Sequence, residues 1–266
     1  MQKVVLITGA SSGLGAAIAG YLSVKGYIVY GASRSLPQGQ PAFRPVVMDV
    51  GDEKSIQQAV DAILQEQGRI DVLINNAGLG IAGPVEHLLL ADVKRVFDTN
   101  VFGVLRTCQA VLPGMRNNKS GLIINISSIG SETGLPYRGA YSASKAALDR
   151  LTEALRMELA PLGVQACYLQ PGGIKTDINK NRITTPLPGD SAYKESFARC
   201  YEIVNASVSQ GLDTGVFGPV VEKIINTQKV KRCYRVGKPM EKISVMLKAA
   251  LPDNTYENLV SKHYKV

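Results

Sequence analysis

The sequence predicts an α/β fold: a doubly wound parallel sheet of about seven strands with helices on both faces. Three observations predict it. Short apolar runs rich in β-branched residues alternate with longer helical patterns along the chain. A glycine-rich turn joins the first strand to the first helix. The residues able to do chemistry fall at or just past the ends of predicted strands, where ligands of such sheets bind.

Residues 4–8 (Val-Val-Leu-Ile-Thr) read as the first strand, apolar throughout and so covered on both faces. Gly9, Gly13 and Gly15 follow at spacing G-x-x-x-G-x-G. Leu14, Ala17, Ile18, Tyr21 and Leu22 then repeat with helical period, predicting a helix over 13–25 that Gly26 stops. Further strands are predicted at 27–32, 45–49, 72–75, 122–127, 165–170 and 233–236. Helices are predicted near 54–67, 91–115, 142–160 and 214–226. Such βαβ alternation implies right-handed crossovers. No Pro/Gly/Ser-rich linker, charge block or repeat divides the 266 residues, so one domain over 1–266 is expected.

The strand, glycine turn and helix form the context of a Rossmann-type dinucleotide fingerprint. Glycines let the backbone approach a pyrophosphate, whose charge sits at a helix N-terminus. A tight turn accounts for one glycine and explains three poorly. The residue after the second strand then selects the nucleotide. An acid there binds a ribose 2′-hydroxyl, whereas an arginine accommodates a 2′-phosphate. Arg34 stands in that turn between Ser33 and Ser35, with no carboxylate nearby in sequence.

Tyr141 and Lys145 are four residues apart in a predicted helix, which stacks phenol and ammonium on one face. A cation so placed favours phenolate and suits the tyrosine to proton exchange with an alcohol or carbonyl oxygen. Alone the pair is weak, because amphipathic helices contain it by chance. Combined with Thr8 to Gly15, Asn75-Asn76-Ala77-Gly78, Ser128 and Pro171-Gly172, it resembles the short-chain dehydrogenase/reductase family in order and spacing over most of the chain.

The resemblance implies an NADP(H)-dependent oxidoreductase, NADP(H) being favoured over NAD(H), that interconverts a carbonyl and an alcohol. Tyr141 would be the acid/base, Lys145 would tune it and bind the nicotinamide ribose, and Ser128 would orient the substrate oxygen. Ser127 is the rival serine, disfavoured by its spacing to Tyr141. Asn100 is either a relay member that holds a water or a helix-kink residue. For the cofactor the resemblance implies Gly9, Ser11, Ser12, Gly13, Leu14, Gly15, Arg34, Asp49, Val50, Asn76, Ala77, Gly78, Tyr141, Lys145, Pro171, Gly172, Ile174 and Thr176. Asn75 is read as a structural tie between strand ends. NADP(H) use leans toward reduction.

The substrate is expected to be lipophilic, in the manner of the hydroxysteroid and retinol dehydrogenase branch. A lid is expected over 177–211, where Tyr193, Phe197 and Tyr201 fall at i, i+4 and i+8. That stripe either packs on the body or walls the pocket, with Leu135, Pro136 and Tyr137 opposite. Family members are commonly dimers or tetramers built through the helices at 91–115 and 142–160. Leu148, Leu151, Leu155 and Leu159 face either the sheet or such an interface.

Composition narrows the rest. Four scattered cysteines and two histidines (His87, His263) give no metal-ligand spacing, so no metal is expected and the thiols read as buried and reduced. With no leader pattern and no long apolar run, a cytoplasmic location is expected. The net charge of +8 concentrates after residue 228, where nine Lys/Arg face three acids. A solvated basic extension over about 238–266 is the simpler reading. Attraction to anionic lipid is the sharper one, since Ile243, Val245, Met246, Leu247 and Leu251 interleave with lysines. Nucleic acid is not expected, because no aromatic-basic motif accompanies the charge. A nucleotide sensor or a membrane-associated scaffold is the alternative, against which the intact Ser128, Tyr141 and Lys145 argue.

Overall fold

Strands that are apolar on both faces need cover on both sides, and the chain supplies it with alternating helices. The computed structural model describes residues 2–36, 39–176 and 181–266. Its strands are β1 (Val4–Thr8), β2 (Ile28–Ser33), β3 (Arg44–Val47), β4 (Val72–Asn75), β5 (Ile81–Ala82), β6 (Gly121–Ile126), β7 (Val164–Pro171), β8 (Ile183–Thr184) and β9 (Cys233–Val236). Its α-helices are α1 (Gly13–Val24), α2 (Glu53–Gln67), α3 (Leu90–Phe97), α4 (Gly103–Asn117), α5 (Gly139–Leu159), α6 (Lys194–Ser209), α7 (Phe217–Ile225), α8 (Pro239–Ala250) and α9 (Asp253–Tyr264).

Seven strands form one parallel sheet in the order β3-β2-β1-β4-β6-β7-β9. This is the expected doubly wound, Rossmann-type sheet. The order reverses between β1 and β4, and the crevice beyond such a reversal is where ligands of these sheets bind. In β1, Val5 and Ile7 pack with Ile18 and Leu22 of α1 and Phe217 and Val221 of α7. Val4 and Leu6 point the other way, into a layer with Ile56 and Ile63 of α2, Val104 and Val111 of α4, and Leu148 of α5. Leu148 and Leu159 face this core and Leu155 packs on it, while Leu151 remains exposed. Helical spacing placed all four alike; the sheet takes three of them.

The structure corrects several boundaries. The single helix expected over 91–115 is two, α3 and α4, joined by a π-helical turn at Asp98–Phe102. The third strand spans Arg44–Val47, one residue earlier at its start and two shorter at its end than expected, and Met48 closes its ladder by donating its amide to Ser33 O. The strand expected over 122–127 is β6, shifted one residue earlier to Gly121–Ile126. Helix α5 starts at Gly139 instead of Ser142, so Tyr141 lies within its first turn. The extension over 238–266, read from composition alone, folds into α8 and α9. Strands β5 and β8, a second small parallel pair, were not anticipated.

Asn75 performs the tie expected of it. It sits opposite Asn125 in the β4–β6 register and donates to Asn125 Oδ1 at 2.9 Å. Thr107 of α4 donates to Asn75 Oδ1 at 2.7 Å, and Asn125 donates to Thr152 of α5 at 2.8 Å. One polar chain thus pins two strands to two helices inside the core. Replacing Asn125 by Ala leaves a buried donor and a buried acceptor unpaired, at about 2–4 kcal/mol. The urea midpoint of Asn125→Ala should fall accordingly; an unchanged midpoint would show that the network contributes nothing to stability.

Candidate active site

Tyr141 and Lys145 lie on one face of α5, 7% and 5% exposed. Lys145 Nζ donates to Ile126 O, the last carbonyl of β6, at 2.9 Å. Two residues on, Ser128 accepts from Gly130 N at 3.0 Å and begins the short turn Ile129–Ser131. Burial alone pushes the Tyr141 phenol up. Lys145, then Arg138, then a hydrogen bond from Ser128, then Arg182 pull it down, and it ends below the ordinary tyrosine range. Burial takes the Lys145 ammonium down, against the opposing pull of Tyr141 and Asp149. Ser127, the rival serine, is buried and faces the Asp149 carboxylate instead.

Asn100 is fully buried within the π turn. Its Oδ1 accepts from Leu79 N at 2.8 Å, and its Nδ2 donates to Leu79 O at 2.9 Å and Ser144 Oγ at 3.0 Å. Ser144 in turn donates to Tyr141 O. The π turn thus holds Asn100 against the segment after β4. π turns are rare and cluster at functional sites. Gly78 threads between Asn100 and Lys145: a Cβ there would stand 3.2 Å from Asn100 Oδ1 and 3.5 Å from Lys145 Nζ.

The glycine turn lies where β1 meets α1. Gly9 and Gly13 both have positive φ, 67° and 56°, which side chains disfavour. Gly15 is a different case, since a Cβ would overlap Gly9 O and Asn76 Nδ2. Asn76 Nδ2 donates to Thr8 O and Gly9 O, and the Asn76 and Ala77 amides both donate to Thr8 Oγ1. So Asn76 and Ala77 brace the turn. Ser11 and Ser12 are exposed, Leu14 is buried, and no acid occupies the first turn of α1. Ser12 makes no side-chain cap, leaving the helix amides open to a phosphate. These features fit a dinucleotide.

The other predicted residues converge on the same edge. Arg34 is exposed just past β2. Asp49, after β3, accepts from Gly51 N, and Val50 packs where a Cβ on Gly103 would touch it. Pro171 ends β7, Ile174 bridges to Leu212, and Thr176 lies against Gly13, 3.4 Å from where its Cβ would be. Residues 177–180 of the expected lid lie outside the described residues. Beyond them the aromatic stripe packs inward on the segment opposite. Phe197 meets the Tyr137 ring with centroids 5.2 Å apart, and Tyr137 exchanges a hydrogen bond with Ser196 at 2.6 Å.

Three residues escaped the sequence reading. Arg138 stands three positions before Tyr141, a helical spacing that was available as a signal. Arg182, 7% exposed, donates to Asn205 Oδ1 and reaches Tyr141 electrostatically from a distant segment. Glu241 of α8 accepts from Gly173 N at 2.7 Å and Lys238 N at 2.6 Å. No local pattern announces either of those two.

The four cysteines are free, with Cys108, Cys167 and Cys200 buried. Burial pushes the Cys108 and Cys167 thiols up to about 12, which leaves them unreactive near neutral pH. Among the described residues no side-chain group could hold a metal, and no helix is long and apolar enough to cross a membrane.

Residues 3–186 match the family model described as short chain dehydrogenase. The chain is 40% identical over 265 residues to a 3-ketodihydrosphingosine reductase of Bacteroides thetaiotaomicron, covering 99% of this chain and 98% of that protein. It is 36% identical over 189 residues to retinol dehydrogenase 8 of Homo sapiens, covering 66% and 60%. A short-chain dehydrogenase/reductase from Burkholderia phymatum in complex with NAD superposes with TM-score 0.80, 26% identity and coverage of 94% and 93%. One from Burkholderia cenocepacia in complex with NADP gives 0.76, 27%, and 97% and 99%.

Gly15→Ala tests the turn. The new methyl must displace Gly9 and Asn76, an overpacking cost of ~1–3 kcal/mol. The NADPH dissociation constant, read by fluorescence titration, should rise at least about tenfold. Unchanged affinity would mean that the turn lies away from the nucleotide.

Proposed function

The chain belongs to the short chain dehydrogenase family, and on that premise we propose that it is an NADP(H)-dependent reductase of a lipophilic ketone with Tyr141 as the acid. The observation that carries this reading is the Tyr141 phenol, buried and held below its ordinary range by Lys145, Arg138 and Ser128. The exposed Arg34 with no acid beside it supports NADP(H) over NAD(H).

A bound nicotinamide supplies the hydride. Ser128 orients the substrate oxygen. Tyr141 Oη gives that oxygen a proton as negative charge develops on it, and Lys145 stabilises the phenolate left behind. Lys145 also binds the nicotinamide ribose. The π turn disturbs the regular helical ladder and so gives Asn100 a backbone site for the relay water that returns the proton. Pro171, Gly172, Ile174 and Thr176 carry the nicotinamide end, and Asp49, Val50, Asn76, Ala77 and Gly78 the adenosine end.

The substrate we assign is a long-chain ketone, the class named for the 3-ketodihydrosphingosine reductase. Residues 181–211, the described part of the expected lid, serve to cover it. Phe102, Leu105 and Leu151, exposed on or beside α4 and α5, suit a homodimer or homotetramer. Met240, Ile243 and Met246 are exposed on α8 beside Lys238 and Lys242, which suits peripheral contact with anionic lipid and a cytoplasmic location.

The test is NADPH-dependent reduction of 3-ketodihydrosphingosine beside steroid and retinoid ketones. Tyr141→Phe should lose about 10²–10⁴-fold in kcat; near wild-type turnover would remove Tyr141 as the acid. Arg34→Ala should cut the NADPH-over-NADH preference by about 10-fold or more, since it deletes a charge-assisted contact. A preference unmoved by that change would count against NADP(H).

A further inference from the structure

Arg138 has no part in the chemistry above, yet it sits against the proposed acid. Its guanidinium carbon lies 4.5 Å from the centre of the Tyr141 ring. Cation–π attraction acts out to about 6 Å and strengthens where water is excluded. Arg138 Nε is buried without a hydrogen-bond partner, and among the described residues no carboxylate pairs with this guanidinium. Guanidinium groups normally satisfy their donors, since a buried unpaired one is costly. Here the face of Tyr141 takes the place of an acceptor.

We infer that Arg138 is a positioning residue for the acid: its guanidinium, stacked on the Tyr141 ring, holds the phenolate that remains after proton donation. The surroundings of the ring support this. Lys145 approaches from the same helix and Arg182 from the segment before β8. The apolar cluster that Tyr141 joins contains Val93 and Val96 of α3, Ile81 of β5 and Ile183 of β8, none of them charged. Besides Arg182, the titratable groups that face Arg138 from other elements are Tyr264 of α9 and Cys200 of α6. Ser128 is neutral and bonds to the phenol. After Lys145, Arg138 is the strongest of the cations acting on the phenol.

The backbone that aims Arg138 is itself constrained. Tyr137 has φ of 57°, a left-handed conformation that bulky residues avoid. Its ring is held by Tyr193 and Phe197, with centroids 6.5 Å and 5.2 Å away. Arg138 N then donates to Leu135 O, and Arg138 O accepts from Ser142 N. The lid helix α6 therefore fixes the turn from which Arg138 reaches the tyrosine. Strain at such a position persists only where the surroundings over-determine it.

The inference rests on the reading of Tyr141 as the acid, so its test reads Tyr141 without turnover. Tyrosinate absorbance is titrated with pH in the wild type, Arg138→Gln and Arg138→Lys, and the curve of the matching Tyr141→Phe variant in each background is subtracted, which removes Tyr264, on whose phenol Arg138 also acts. Tyr141 should ionise about one pH unit higher in Arg138→Gln. Arg138→Lys should restore at least half of that shift. Arg138→Met keeps the packing of the stem and replaces the glutamine variant should that one not fold. Tyr141 titrating alike in wild type and both neutral variants overturns the inference.

The rate profile supplies the second readout. Carbonyl reduction needs the protonated phenol, so the rate falls as pH rises through its ionisation. In Arg138→Gln that fall should move to higher pH by the same amount, and a purely structural role would not move it. A Tyr141→Phe enzyme that kept its rate would sink the acid assignment alone. The titration would still decide whether Arg138 holds the phenolate.

Discussion

A buried ammonium must find inside the protein what water would have given it, and Lys145 imposes that demand on everything near it. The Ile126 carbonyl takes one of its protons, while Tyr141 and Asp149 supply negative potential from the same helix. Without those partners, burial would drive the group to neutrality. Meeting the demand requires α5 to lie against the end of β6, which Leu148, Leu159 and the Asn125–Thr152 hydrogen bond secure. It also requires the segment after β4 to pass close by, which is why Gly78 lacks a side chain between Asn100 and Lys145.

The two halves of the cleft are held by different means. On the nucleotide side, two side chains hold main-chain groups. Thr8 and Asn76 bind backbone amides and carbonyls, and the glycine turn hangs from paired strand ends. On the facing side, side chains meet one another across long separations: Tyr137 with Phe197, Arg182 with Asn205, Tyr193 with Glu86. The first half thus depends on a few fixed residues and its backbone, whereas the second depends on many side-chain pairs that can change together. Variation in what such a fold accepts therefore falls on the second half.

This contrast also explains what could be read before the structure was in hand. The glycine turn, the Tyr141/Lys145 pair and strands such as β1 are written in contiguous residues, and their patterns are local. The sheet and its seven strands followed from them. The break between α3 and α4 was only half legible: Asn100 could be read as a helix-kink residue, but the contacts that hold it go to Leu79, twenty-one residues earlier. Helices α8 and α9 carried start signals in Pro239 and Pro252. Their apolar residues interleave with lysines, so composition read as tail. Arg138 was available by spacing alone, whereas Arg182 and Glu241 become relevant only once the chain has folded around them.

Glu241 fills the notch that Gly172, Gly173 and Gly237 leave open. A Cβ on Gly172 would overlap its carboxylate, and its Oε1 takes the Gly173 amide. Side chain and missing side chains are two halves of one shape, contributed by positions nearly seventy residues apart. In any related chain the two must change together: an alanine at 172 needs a shorter residue at 241, and a lost acid at 241 strands an amide at 173. The stretch after β7 and helix α8 would then drift through evolution as a single locus, although neither adjoins the other in sequence.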